Sequence, residues 1–227
     1  MGKNAGDEKM RKSAYIYVGG EIYPDGIVER PEEGDLVIAA DSGYRNAKRL
    51  GAKINMLIGD MDSIGGDFDF GELDPDVELV KLPTEKDDTD AAYAAKLALK
   101  SDCDDIVIIG GLSGRLDHTL ANLSLLEYLD TAKDKNKRVT ATITDGKNRV
   151  RYIKNDGLLI PRSHFKYFSL IPVTDVCRGV TVKGCKYPLK NAKLTRDNAQ
   201  FSTSNEIEGN VALIEVSRGA LYIVESV

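Results

Sequence analysis

From Ser13 to Thr144, short apolar runs alternate with stretches of helical character; beyond residue 145 the helical stretches stop and only strand-like runs remain. The runs SAYIYV (13–18), LVIAA (36–40), MLI (56–58), VELVKL (77–82), IVIIG (106–110) and VTATIT (139–144) are short, and several are apolar at nearly every position. A strand with one wet face alternates instead, so these read as strands buried on both sides in a parallel sheet. Between them, GYRNAKRLGA (43–52), TDAAYAAKLALKS (89–101) and DHTLANLSLLEYLD (117–130) read as helices. Leucines at 116, 120, 123, 126 and 129 fall three or four apart and predict a single apolar stripe. Strands alternating with helices predict an α/β sheet covered on both faces.

After residue 145 the turn signals DGKN, KNDG and SRG separate RVRYI (149–153), YFSLIP (167–172), GVTVKG (179–184), AKLT (192–195), VALIEVS (211–217) and ALYIVES (220–226). This pattern predicts an antiparallel β domain, a sandwich or half-barrel. The expected fold class is therefore α/β: a three-layer N-terminal domain with a mostly parallel sheet over 13–145, and an antiparallel β domain over 146–227.

Several function classes are disfavoured. Net charge is −5, which argues against the clustered basic footprint of a nucleic-acid binder. No apolar run approaches the ~20 residues of a membrane span. The three cysteines form no C-x-x-C and suit a reducing compartment, so a cytoplasmic location is expected, with residues 1–12 as a polar tail.

The acidic residues share one placement. Asp41 follows LVIAA, Asp60 and Asp62 follow MLIG, and Asp87, Asp88 and Asp90 follow VELVKL. In a parallel sheet all of them gather at the carboxyl edge, where open α/β sheets bind ligands. Asp60 and Asp62, two apart in extended chain, point the same way and offer hard oxygen ligands to Mg²⁺. The alternative is that they close turns, with Asp88 a helix N-cap. GGLSGRLDHTLAN (110–122) sets a glycine loop between a strand and a helix, where backbone amides can cradle phosphate and Arg115 can clamp it. Asp117 and His118 stand beside that loop; they also suit an N-cap and a helix-start hydrogen bonder. Neither a Walker A loop nor G-x-G-x-x-G occurs.

Taken in order, ADSG (40–43), GDMDSI (59–64), KDDTD (86–90), GGLSGRLDHTLAN (110–122) and STSNE (202–206) resemble the thiamin pyrophosphokinase family. The resemblance implies an α/β domain followed by a β-sandwich, transfer of pyrophosphate from ATP to the thiamin hydroxyl, Mg²⁺ as cofactor, and a homodimer with active sites at the subunit interface. It implies Asp60, Asp62 and Asp90 as metal ligands, and Asp62, Asp90, Arg115 and Asp117 in catalysis. It implies Asp41, Gly43, Gly111, Arg115 and His118 at ATP, and Lys86, Asp117, Ser204 and Asn205 at thiamin. Either Asp62 or Asp117 would serve as general base. Ser42 and Ser113 replace glycines frequent in the family, and the chain has no Trp to stack on thiamin, leaving Phe201, a Tyr or nothing. Two rival classes are a metal-dependent phosphohydrolase and a non-catalytic nucleotide or thiamin sensor.

Overall fold

A computed structural model describes residues 12–23, 28–60, 73–83, 88–132 and 139–227, with the side chains of residues 200 and 201 outside the described set. The α/β part runs β1 (Ser13–Tyr17), β2 (Leu36–Ala40), α1 (Gly43–Arg49), β3 (Met56–Gly59), β4 (Glu78–Lys81), α2 (Asp90–Lys100), β5 (Asp105–Ile109), α3 (Leu116–Ala132) and β6 (Thr140–Thr144). The rest is β7 (Asn148–Lys154), β8 (Gly157–Pro161), β9 (Tyr167–Pro172), β10 (Val176–Lys183), β11 (Leu189–Thr195), a 3₁₀ segment (Arg196–Ser202), β12 (Val211–Glu215) and β13 (Ala220–Ser226).

The strands form a nine-stranded sheet of order β4-β3-β2-β1-β5-β6-β7-β13-β9 and a four-stranded sheet of order β11-β10-β12-β8. From β4 to β6 every pairing is parallel. The expected α/β class and sandwich are both present. The sheet, however, does not stop at residue 145. Strand β7 turns back antiparallel onto β6, pairing Ile143 with Val150, so one face of the sandwich continues the parallel sheet. The DGKN segment is the hairpin that does this: Asp145 Oδ1 accepts from the amides of Lys147 at 2.9 Å and Asn148 at 2.6 Å.

Three apolar clusters hold the layers. Ala91, Ala94, Ala95 and Ala98 of α2 and Leu125, Leu126 and Leu129 of α3 pack on Ile16, Ile38 and Ile108. On the opposite face, Ala47 of α1 packs on Tyr17, Leu57 and Val107. Between the two sheets, Phe168, Leu170, Val180, Ile214, Leu221 and Ile223 fill the sandwich. Cys103, Cys177 and Cys185 are buried free thiols, as small apolar fillers.

Two local expectations need correction. The leucine stripe splits: Leu126 and Leu129 are buried, whereas Leu116 and Leu120 are 71% and 56% exposed. The exposed pair stands in the first turns of α3, and the buried leucines of the helix stand in its later turns. Asp88 is not the cap of α2. Thr89 is, its hydroxyl accepting from Ala92 N at 3.2 Å, while Asp88 pairs with Lys96 at 2.6 Å.

Where the parallel half meets the sandwich, one carboxylate is sunk in the sheet. Glu225 on β13 is 2% exposed and takes bidentate bonds from Arg149 on β7, Nε to Oε2 at 2.8 Å and Nη2 to Oε1 at 2.7 Å. Arg151 adds a contact at 3.4 Å. A buried carboxylate that loses its main partner is costly. Arg149→Met is expected to lower unfolding free energy by about 3 kcal/mol in urea titrations; a loss below about 1 kcal/mol would show that the pair does not hold the junction.

Candidate functional site

In the sheet order, β2, β3 and β4 lie to one side of β1 and β5 and β6 to the other, so the chain reverses its direction of travel between β1 and β5. The loops beyond their carboxyl ends diverge there and leave a crevice. A cleft of about 560 Å³ occupies this position. Its walls come from the loop after β1 (Val18, Gly19, Gly20), the loop after β2 (Ala40, Asp41, Ser42), the start of α2 (Thr89, Asp90, Ala91), and the loop into α3 with its first turns.

Tight backbone contacts build these walls. Gly111 N donates to Gly19 O at 3.0 Å, joining the loops after β5 and β1. Asn122 on α3 donates from Nδ2 to Gly111 O at 3.1 Å. Asn46 on α1, 8% exposed, donates from the same nitrogen to Val18 O at 2.8 Å and Gly20 O at 3.0 Å. Gly111 has φ 76°, and a Cβ there would stand 2.5 Å from the Asn122 amide. Only glycine meets both demands. Asp41 also takes a left-handed backbone, φ 47°, which is uncommon for a residue with a side chain and recurs at ligand sites. Its carboxylate packs against Gly59, where a Cβ would lie 1.8 Å from Oδ1.

Of the residues expected at the site, Asp41, Asp90, Gly111, Arg115, Asp117 and His118 line this one cleft. Asp60 follows Gly59 at the end of β3, half-buried, and is not part of that lining. Asp62 and Lys86 lie outside the described residues. Among the described residues no three acidic, cysteine or histidine side chains stand close enough to hold a metal ion. The donor chemistry nonetheless fits Mg²⁺: hard carboxylate oxygens of Asp41 and Asp90 meet at one cleft, and Asp41 touches the glycine that precedes Asp60. Gly43 lies beneath the cleft rather than on it. It is buried in the first turn of α1, and a Cβ would come 2.0 Å from Tyr17 O, so glycine is needed for the helix to approach β1.

Arg115 and Asp117 form a bidentate pair at the cleft rim, Nη2 to Oδ2 at 2.6 Å and Nε to Oδ1 at 3.1 Å. The hydrogen bond from Arg115, helped by the His118 amide, holds the Asp117 carboxyl below the ordinary aspartate value. Both side chains are exposed, so water screens the pair and exchange for another partner is cheap.

Ser204 and Asn205 lie elsewhere. Ser204 is exposed with φ 58°, and its amide donates to Ser169 Oγ at 3.0 Å. The Asn205 side chain is engaged within the sandwich: Oδ1 accepts from the amides of Tyr187 and Glu206, and Nδ2 donates to Tyr187 O at 2.9 Å. Neither lines the cleft of its own chain. Sequence reasoning missed Gly19, Gly20, Asn46 and Asn122; the glycine pair straight after the first strand was the available signal.

Two family models match the chain: "Thiamin pyrophosphokinase, catalytic domain" over residues 30–141 and "Thiamin pyrophosphokinase, vitamin B1 binding domain" over residues 157–221. Thiamine pyrophosphokinase of Bacillus subtilis (strain 168) is 28% identical over 218 residues, covering 95% of this chain and 99% of its own length. Thiamin pyrophosphokinase 1 of Caenorhabditis elegans is 26% identical, covering 94% of this chain and 89% of its own. The crystal structure of the Bacillus subtilis protein superposes with a TM-score of 0.82 at 26% identity, over 95% of this chain and 99% of that one. Thiamin pyrophosphokinase from Candida albicans, at 16% identity and a TM-score of 0.73 over 96% of this chain and 90% of its own, shares the fold.

Arg115→Ala removes the donor that keeps Asp117 ionised to low pH. In carboxyl NMR titrations Asp117 is expected to take up its proton at higher pH in the variant than in the wild type; an unmoved titration would show that the pair does not persist in solution.

Proposed function

Because the chain belongs to the thiamin pyrophosphokinase family, we propose that it transfers a pyrophosphoryl group from ATP to the hydroxyl of thiamin, releasing AMP, in a Mg²⁺-dependent reaction. The observation that carries this reading is the cleft itself. Carboxylates from separate strand ends, a guanidinium and two glycine loops meet at the sheet's reversal point. That combination suits a polyphosphate carried with a cation.

The α/β part, 13–145, takes the donor, and the sandwich part, 146–227, presents thiamin. Asp60, Asp62 and Asp90 would hold Mg²⁺, with Asp41 alongside. Held there, Mg²⁺ would supply charge neutralisation to the phosphate groups. Amides of the 110–115 loop bind the same tail, with Gly111 and His118 at the nucleotide. Arg115 releases Asp117 and turns to the migrating group, since charge-assisted bonds to phosphate are stronger than an exposed ion pair. Asp117, ionised at neutral pH and at the cleft rim, is placed to accept the thiamin hydroxyl proton; Asp62, the other candidate base, lies outside the described residues. Lys86, Ser204 and Asn205 contact thiamin. The loop carrying Ser204 is not part of its own chain's cleft, which supports a homodimer in which a second subunit brings that loop to the site. Buried free cysteines fit a cytoplasmic location, and among the described residues no helix is long and apolar enough to cross a membrane.

AMP release from ATP and Mg²⁺ is expected to require thiamin; release of inorganic phosphate without thiamin would indicate a phosphohydrolase, and binding without turnover a sensor. Asp62→Asn and Asp90→Asn are each expected to reduce AMP formation on the order of 100-fold or more with the melting temperature kept. Normal turnover in either variant at saturating Mg²⁺ would contradict that residue's assignment.

A further inference from the structure

Two glycine turns line the cleft, and the sequence singled out only the one after β5. The turn after β1, Val18-Gly19-Gly20-Glu21, is built at least as tightly. All three carbonyls that would repel an anion are already committed. Val18 O and Gly20 O accept from Asn46 Nδ2, and Gly19 O accepts from Gly111 N at 3.0 Å. On the other side, Glu21 N donates to Ser113 Oγ at 2.7 Å. What the turn has left is donors: among the described residues nothing accepts from the amides of Gly19 and Gly20.

The space around these amides is reserved for backbone. A Cβ at Gly19 would stand 2.5 Å from Ser42 Oγ, and one at Gly20, where φ is 103°, 2.9 Å from Ser113 Oγ and 3.3 Å from Gly111 N. Ser42 and Ser113 are the positions where the resembled family often has glycine. Their hydroxyls both lie beside this turn, and that of Ser113 accepts from it. Adjacent backbone amides in a fixed turn form a concave anion site.

We infer that the Gly19–Gly20 turn is a second anion cradle of the cleft, whose amides bind a phosphate oxygen of the nucleotide donor, with Asn46 and Ser113 as its positioning residues. Asn46 and Ser113 touch no substrate; they fix the turn so that its donors are in place before binding, which saves ordering cost. Asp41, Asp90 and Asp117 line the same cleft, so a polyphosphate entering it brings cations, and the amides act on the oxygens those cations leave. This inference rests on the donor being a nucleoside polyphosphate.

Calorimetric titration of the full chain with ADP, without divalent metal, reads the amide donors apart from any metal. Ser113→Ala is expected to weaken ADP binding about fivefold, and Asn46→Asp, which sets an acceptor against two carbonyls, about tenfold or more. Ser113→Thr, which keeps the hydroxyl, is expected to restore affinity to within about twofold, and KM for thiamin to stay within about twofold in all three variants. A turn that merely holds the fold together would instead lower the melting temperature and move both substrates alike. If Asn46→Asp fails to fold, Ser113→Ala and its threonine counterpart decide. ADP affinity unchanged in folded Ser113→Ala, or absent from the wild type without metal, overturns the cradle. A wild type that binds ADP yet forms no AMP with thiamin overturns the pyrophosphokinase reading and leaves the cradle standing.

Discussion

The hydrogen bond from Gly111 N to Gly19 O ties the loops after β1 and β5 at the one place where the sheet's order would otherwise spread them apart. The cleft exists because parallel strands on either side of that point send their connections to opposite faces, and it keeps its shape because the two loops are bonded. Glycine is required on the β5 side of the contact. At Gly110 a Cβ would lie 2.9 Å from Val18 O, and at Gly111 3.0 Å from a Val18 methyl. The site is thus made of main chain first. Arg115 and Asp117 are hung on its rim, where water reaches them until a ligand does.

Much of this was legible in the sequence because burial leaves a plain mark. LVIAA and IVIIG could not sit at a wet surface, and they are β2 and most of β5. Carboxylates following such runs could be placed at the carboxyl edge by the period of the chain alone, and Asp41, Asp90 and Asp117 do share a cleft. Legibility failed where burial is partial. Strand β8 carries Leu159 at 60% exposure on the edge of the second sheet, and GLLIP is absent from the runs that the sequence marks as strands. The α3 stripe failed for the related reason that only the later turns of the helix are packed, leaving Leu116 and Leu120 bare. The β1 turn was passed over because two glycines and a glutamate after a strand match no phosphate motif. Its meaning lies in Asn46 and Ser113, distant in sequence.

The sandwich is a continuation of the α/β sheet rather than an appended body. A hairpin through Asp145 carries β6 into β7, and the Arg149–Glu225 pair sits at the seam. Continuous hydrogen bonding fixes the cleft and the sandwich core in one frame. It does not bring Ser204 to the cleft of its own chain. A frame of this kind suits the proposed homodimer, in which a second subunit would present its Ser204 loop to this cleft.

Crystals grown with a non-hydrolysable ATP analogue and Mn²⁺ test the central claim most directly. The account predicts the triphosphate between residues 18–20 and 111–115, with a manganese anomalous peak among Asp60, Asp62 and Asp90. A nucleotide seated elsewhere, with this cleft holding only solvent, would contradict it.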